Sequence, residues 1–530
     1  MKKLLSLLLC LAMVFGLAAP AMAADESTLP TIYLSGKANR PIYMGDGTLA
    51  SNPDLLDREQ YIMDAVGPIL EELVMALATD DYSAYIDSLV NATAPIYKDL
   101  ILDSDGMPQY GTHIDWDYKT APIDPKASTI HFYYDWRLSP MEVSDQLDVF
   151  IERVIKATGK NGVNIHCRCM GSNFAMTYVA KSFKGMYDHP FRVKNIMLNT
   201  SGLGGYLTFE GLVSGSFSLS PDAVDRFVYD FLNGGELFED STISALAIAV
   251  VSLANTAKLL GYGTDFVSEI FNKIAPELMP KLALCCYGGY LSYWSMVGDD
   301  YYDKAKATVF NTPELRDEYK VFIEKIDAYH EFMSDTNPAT GRPIHEDLLL
   351  DLSKATVEKE GFEKVGIAII AKYGAPCVPL FDGSETTGDV RGTVTQFSFG
   401  ATGTNIGSIF TNEYIEAAKA KGTYKYISPD LTVDASTGLF PDTTWFIKNI
   451  KHDQFPTTFN TLFQKFCASD GTMTVFSDEN YPQYFDFVDG KVVIDKGEDP
   501  EDTSWSGNPF AVVIRFFTAI FNFFAKLFKR

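Results

Sequence analysis

The chain has 530 residues, 46% of them hydrophobic and 21% charged, a composition that excludes a largely disordered chain. Its formal charge of -25 argues against nucleic acid as a partner, because phosphate binding requires clustered lysine and arginine. Beyond the first segment the cysteines are Cys167, Cys169, Cys285, Cys286, Cys377 and Cys467, without framework spacing; this excludes a disulfide scaffold but leaves one or two bridges open.

Residues 1–23 carry Lys2 and Lys3, an apolar run from Leu4 to about Ala19, and small residues at Ala21 and Ala23, the pattern of a bacterial-style signal peptide. Cys10 sits inside the apolar run after three leucines, so cleavage after Ala23 is expected rather than lipid attachment, with export from the cytoplasm. "TIYLSG" (Thr31 to Gly36) and "STIHFYYDWR" (Ser128 to Arg137) read as strands. A helix follows: Ser139 and Glu142 are placed as a capping box, Pro140 stands at the first helical position, and Val143, Leu147, Phe150, Ile151 and Val154 recur at helical spacing up to Gly159. "VNIH" is a buried strand, a helix runs from about Gly171 to Ser182, and "NIMLNT" (Asn195 to Thr200) is the next strand. This rhythm predicts an α/β fold, a mostly parallel sheet with helices on both faces.

Residues 201–360 break the rhythm and read as an inserted helical cap. The apolar stretch Ile243 to Gly263 contains Ser252, Asn255 and Lys258, which favours a buried or cap helix over a membrane span. Strand character returns in "KVGIAIIAKYG" (Lys364 to Gly374), and "TTWFIKN" (Thr443 to Asn449) reads as the last clear strand. The organisation expected is therefore core over 24–200 and 361–490, cap over 201–360, an acidic linker over 491–507 and a C-terminal amphipathic helix over 508–530. In that helix Asn508 and Pro509 form the start, and Arg515, Thr518, Asn522, Lys526 and Lys529 share one face. Its uninterrupted apolar run is short for a bilayer crossing, so contact with a membrane surface is expected, docking on protein being the other reading.

The chemistry concentrates in "VNIHCRCMGSN" (Val163 to Asn173). A strand entering a sharp turn and then a helix, with small residues around one reactive side chain, is a nucleophile elbow. In the frame Cys167-Arg168-Cys169-Met170-Gly171, Cys169 holds the nucleophile position, Gly171 the second small position, and Cys167 replaces the first glycine. Cys169 at a helix N-terminus is suited to thiolate chemistry. The Met170 N–H is placed to face an oxyanion, and a second donor would come from Lys37 or Ala38 in "SGKAN". Other readings of the cysteines are an inert elbow or, from His166-Cys167-x-Cys169, a soft-metal site; no metal or cofactor is called for.

"YYDWRLSPMEVSDQLDVFIERV", followed about ten residues later by "VNIHCRCMGSN", resembles the Tyr-Asp-Trp-Arg strand and elbow of the lecithin:cholesterol acyltransferase-like α/β-hydrolases, a family of lipases and acyltransferases. The resemblance extends through "IMLNTSGLGG", "AKYGAPCVPLFDG…GDVRGTVTQFSFGAT" and "TTWFIKNIKHDQFP" and frames most of Thr31 to Phe466. It implies an α/β-hydrolase fold, a catalytic acid after the strand that follows the cap, and a catalytic histidine after the last strand. His452 matches the histidine position, while His166 inside a strand reads as structural. The acid is ambiguous: aligned on Gly392-Thr393-Val394 the position holds Arg391, with two extra residues Asp389 supplies it, and Asp382 is a third choice. Trp136 and Trp294 are candidates to line an acyl site or to pack the core, and Arg168 to meet substrate or to fix the elbow through a salt bridge.

The implied activity is acyl hydrolysis or transfer on lipid-like esters through a thioacyl intermediate. The alternative is a catalytically silent protein of the same fold that binds a lipid or surface partner.

Overall fold

The computed structural model describes residues 29–37, 39–50, 71–214, 263–354, 364–377 and 383–497, with the single positions 69, 220 and 223. The signal-peptide reading, Ala38, most of Ile243 to Gly263, Asp382 and the helix expected over 508–530 lie outside these residues.

The chain is α/β. Eight strands form the central sheet: β1 (Thr31–Leu34), β2 (Thr129–His131), β3 (Val163–Arg168), β4 (Val193–Asn199), β5 (Gly366–Tyr373), β6 (Thr444–Lys448), β7 (Tyr484–Val488) and β8 (Lys491–Ile494). They lie in the order β8-β7-β6-β5-β4-β3-β1-β2. Every neighbouring pair is parallel except β7 with β8. A parallel sheet covered on both faces needs apolar strands without alternation, and β5 obeys, buried at all eight positions.

Helices supply the cover. After β2, α2 (Pro140–Thr158) starts at Ser139, whose hydroxyl accepts from the Met141 N–H, and ends at Gly159 with φ 69°. The capping box expected there does not form, because Glu142 is paired with Lys325 at 2.9 Å. α3 (Gly171–Phe183) follows β3 and is almost wholly buried. The connection between β1 and β2 contains α1 (Ser83–Tyr97).

"STIHFYYDWR" is strand only over Thr129–His131. The rest turns because Asp135 accepts from the Arg137 backbone N–H at 3.1 Å and pairs with its guanidinium at 2.9 and 2.6 Å. Arg137, wholly buried, also donates to the Leu100 carbonyl and the Thr112 hydroxyl. A bidentate pair with its remaining protons satisfied can be held in the interior. The motif thus clamps the connection between β1 and β2 onto the start of α2.

Between β4 and β5 the described chain is mainly helical: α4 (Leu207–Ser214), α5 (Thr264–Leu282), α6 (Asp299–Val309), α7 (Lys320–Tyr329) and α8 (Ile344–Lys354), with shorter turns between them. Trp294 is buried here, stacked on Phe310 and donating to the Gly288 carbonyl. Trp136 packs against Tyr290 and Tyr293. Trp136 therefore joins this layer to the core, while Trp294 packs within the layer. Asn173 of α3 adds a polar link, its amide donating to the Ser295 carbonyl at 2.7 Å and the Tyr329 hydroxyl at 3.2 Å.

Two expectations need correction. "TTWFIKN" is not the last strand, and the boundary drawn at residue 491 cuts through a hairpin, since β7 and β8 pair across the Asp489-Gly490 turn. Both turn residues have positive φ, 49° and 77°, the geometry that Asp-Gly adopts in a two-residue hairpin. Among the described residues none of the six cysteines is in a disulfide, so neither of the bridges left open is formed. No helix among the described residues is long and apolar enough to cross a membrane.

Candidate active site

The site gathers where β3, β5 and β6 end. β3 delivers Cys169 in a left-handed conformation, φ 51°, which costs a non-glycine residue energy and persists only where the surroundings enforce it. Here they do. The Cys169 N–H donates to the Asn199 carbonyl at the end of β4, and its own carbonyl accepts from the Ser172 hydroxyl at 2.6 Å and the Gly202 N–H at 3.2 Å. Two glycines allow the close approach. A Cβ on Gly36 would lie 2.9 Å from the Cys169 Cβ, and one on Gly171 2.5 Å from the Ser35 carbonyl oxygen.

This makes a direct prediction. Gly171→Ala should push α3 away from the loop after β1, costing about 1–3 kcal/mol of stability as overpacking does and slowing alkylation of Cys169. Urea denaturation with iodoacetamide kinetics checks it; unchanged values in both would mean that the elbow does not need its glycine.

The two cysteines point apart, as the turn requires. Cys167 is wholly buried and directs its thiol at the Met197 carbonyl, 3.5 Å away; burial pushes its pKa far up. His166 is enclosed by Tyr33 and Phe463, and burial pushes its pKa down to about 3. Neither is suited to proton transfer at neutral pH.

His452 comes from the loop after β6 and reaches Asp389 in the turn after β5. Its Nδ1 lies 2.7 Å from Asp389 Oδ2, and since a carboxylate only accepts, Nδ1 carries the proton. That leaves the other ring nitrogen for Cys169, to which His452 is hydrogen-bonded.

Asp389 is fully buried, and its Oδ1 accepts the N–H groups of Arg391 at 3.2 Å and Gly392 at 3.4 Å. The two extra residues form a tight loop. Gly388 bridges to Thr393, a Cβ on Gly388 would fall 2.1 Å from the Gly392 carbonyl oxygen, and Val390 takes φ 80°. Thr393 and Gln396 cap the short helix that follows. The loop thus turns Asp389 toward the imidazole, and Arg391 does not stand in the acid position. Arg391 acts on Cys169 as a positive charge.

The electrostatics follow from these neighbours. Burial by itself would raise the Cys169 pKa, but the charge and hydrogen bond of His452, the hydrogen bond from Tyr206 and the charge of Arg391 outweigh it and bring it down to about 6. Burial would lower the His452 pKa, but Asp389 and Cys169 outweigh it and raise it above the ordinary histidine value. Each shift stabilises the charged partner, so the site favours the thiolate with the imidazolium over the two neutral groups.

The remaining sequence candidates fall around this centre. Lys37 lies in the loop after β1 that packs on Cys169, with its ammonium 5.4 Å from the Trp136 ring centre. Met170 precedes α3 directly. Arg168 donates to the Ser35 hydroxyl at 3.1 Å and stacks on Phe455 at 3.7 Å. It pairs with no carboxylate among the described residues, so it fixes the elbow without the expected salt bridge. Trp294 lies in the helical layer's own core.

Three neighbours escaped sequence reasoning. Tyr206 stands edge-on to His452 with ring centres 5.7 Å apart, and its one hydroxyl proton is shared between the Thr200 carbonyl, 2.7 Å away, and the Cys169 sulfur. Phe397 covers another side of the imidazole. Lys372, at the end of β5, lies under the His452 loop. The glycine run before Tyr206 signals a turn, but nothing local marks Phe397 or Lys372.

No protein-family model and no curated protein matches the chain. Among solved structures, the chain is similar to one described as "The crystal structure of Tle4-Tli4 complex", at 11% identity over 36% of this chain and 48% of that one, with a TM-score of 0.18. The matched part is thus about half of that chain, and a score this low carries no argument.

Proposed function

We propose that this chain is an α/β-hydrolase-fold acyl hydrolase or acyltransferase with Cys169 as nucleophile. The observation that carries the reading is His452, held between the Cys169 thiol and a buried Asp389. The order of the parts supports it: nucleophile after β3, acid after β5 and histidine after β6, on a mostly parallel sheet.

In the reaction, the Cys169 thiolate attacks the carbonyl carbon of an ester. The tetrahedral oxyanion is received by the Met170 N–H and by a donor from the loop holding Lys37 and Ala38. Collapse breaks the bond to the alcohol, which takes its proton from His452. The neutral imidazole then removes a proton from water or an acceptor alcohol, which attacks the thioester; expulsion of the thiolate restores the ion pair. Asp389 keeps the tautomer and orientation of the ring.

The surroundings point to lipid-like esters at a membrane surface. Residues 1–23 have the pattern for export, and residues 508–530 form a basic amphipathic segment suited to anionic lipid. The buried aromatic layer around Trp136 and Trp294 would flank an acyl chain. The cell surface of a bacterium is the expected location.

The test is hydrolysis of short- and long-chain p-nitrophenyl esters by protein lacking residues 1–23, with and without residues 508–530, against Cys169→Ala. Activity that falls to background in the variant is the expected result. Equal activity in both would remove Cys169 as nucleophile, and inactivity of both under reducing conditions would favour the lipid-binding alternative.

A further inference from the structure

Lys372 occupies the strand position of β5 paired with Ile447 of β6 and is 1% exposed. A lysine there is unexpected, since the residues before it in β5, Gly366 to Ala371, are all apolar or glycine and an unpaired ammonium is costly to bury. Its three protons are all directed at one stretch of backbone. The ammonium donates to the carbonyls of Lys451 at 2.8 Å, His452 at 2.7 Å and Gln454 at 2.8 Å. No carboxylate pairs with it among the described residues; the acceptors are the loop itself. Phe455, the next residue of that loop, lies between two cations, with Lys372 4.1 Å and Arg168 3.7 Å from its ring.

We propose that Lys372 is a positioning residue: its ammonium holds the backbone of residues 451–454 and so keeps the His452 imidazole between Cys169 and Asp389. The inference rests on the Cys-His reading of the site. The entry to this loop is tied to β5 by the Asn449 N–H on the Tyr373 carbonyl, and His452 is bonded to Asp389, which leaves the backbone of residues 451–454 to be held separately. The Gln454 N–H returns to the Lys451 carbonyl, and the Gln454 side chain accepts from the Lys451 N–H, which closes the turn without anchoring it to the sheet. Lys372 supplies that anchor, reaching from a fully buried strand where its own position is set by pairing with Ile447 of β6. An ammonium is suited to this because it offers three donors and no acceptor, matching three carbonyls that have only lone pairs to offer. Burial pushes the Lys372 pKa down to about 7, against the charges of Asp389, Asp453 and Cys169, with Arg168 adding to the lowering. Holding a charge there is therefore expensive, which a purely space-filling role would not require.

The experiment compares Lys372→Met with the wild-type chain in two readouts: hydrogen exchange of the amides of residues 450–457, and the pKa of Cys169 from the pH dependence of iodoacetamide alkylation. The expected result is faster exchange confined to that loop and a rise in the Cys169 pKa of about one unit, tenfold in the equilibrium. Since removing a nearby positive charge could shift the thiol directly, the same substitution is made in His452→Ala. A tether acts only through the imidazole, so the shift should vanish there; a shift of equal size in that background, or unchanged loop exchange, would overturn the proposal. If Lys372→Met does not fold, Lys372→Gln, which retains two donors, is read the same way and should give a smaller loosening. A wild-type thiol that titrates like a free cysteine would defeat the nucleophile assignment, whereas the exchange readout judges the tether by itself.

Discussion

His452→Ala should abolish the thiolate character of Cys169. In the intact site the thiol titrates at about 6 against an ordinary value of 9.0; without the imidazole, burial is opposed only by Tyr206 and Arg391. Return to the ordinary value or above would leave about 1% thiolate at pH 7, where the native site is mostly ionised, so alkylation should slow by about a hundredfold. The linkage has a definite sign. The depressed Cys169 pKa contributes stability that is present above its unfolded value and lost as pH falls through about 6. The raised His452 pKa contributes stability that is complete below its unfolded value and lost as pH rises through the folded one. The ion pair therefore stabilises the fold most between these limits, and the variant should show a flatter dependence of denaturation midpoint on pH. An alkylation rate within threefold of the native one would mean that His452 does not ionise Cys169.

The second large effect concerns stability. Lys448 at the end of β6, only 4% exposed in its side chain, faces Asp495 at 3.2 Å and both Asp430 and Asp486 at 3.7 Å. Three carboxylates thus share one buried ammonium at close range. Asn449 and Tyr373 add hydrogen bonds to Asp486 and Asp495. Lys448→Met should therefore cost about 3–5 kcal/mol, the usual penalty when one partner of a buried ion pair is removed. Urea denaturation at pH 7 measures it. Adding Asp495→Asn should recover part of the loss, because it removes one uncompensated charge. A single variant within about 1 kcal/mol of native stability, the scale of a surface pair, would show that the cluster is solvated rather than bound by Lys448. Because β6 carries the His452 loop, the variant also asks whether this end of the sheet must be intact for the site to form.

The features legible in the sequence are those written in local pattern. The elbow was readable because a strand, a turn and a helix follow one another without interruption from Val163 to Phe183. His452 was readable because it follows the apolar strand "TWFIK" by a few residues. The hairpin of β7 and β8 had its signal, Asp489-Gly490 between β-rich runs, but the surrounding acidic residues drew the reading toward a linker.

What the sequence by itself determined was the α/β alternation and the position of Cys169 at the turn between a strand and a helix. Only the tertiary structure shows that Asp389 is the side chain meeting His452, because this depends on how two extra residues loop out, and that is set by the contact of Gly388 with Gly392. It alone brought Tyr206 and Phe397 to the imidazole, and Lys372 to the His452 backbone, from segments far apart in the chain. The physical reason is one of range: hydrophobic periodicity and turn chemistry act over a few residues, whereas charge, burial and hydrogen bonding at a site are sums over neighbours that only the folded chain assembles.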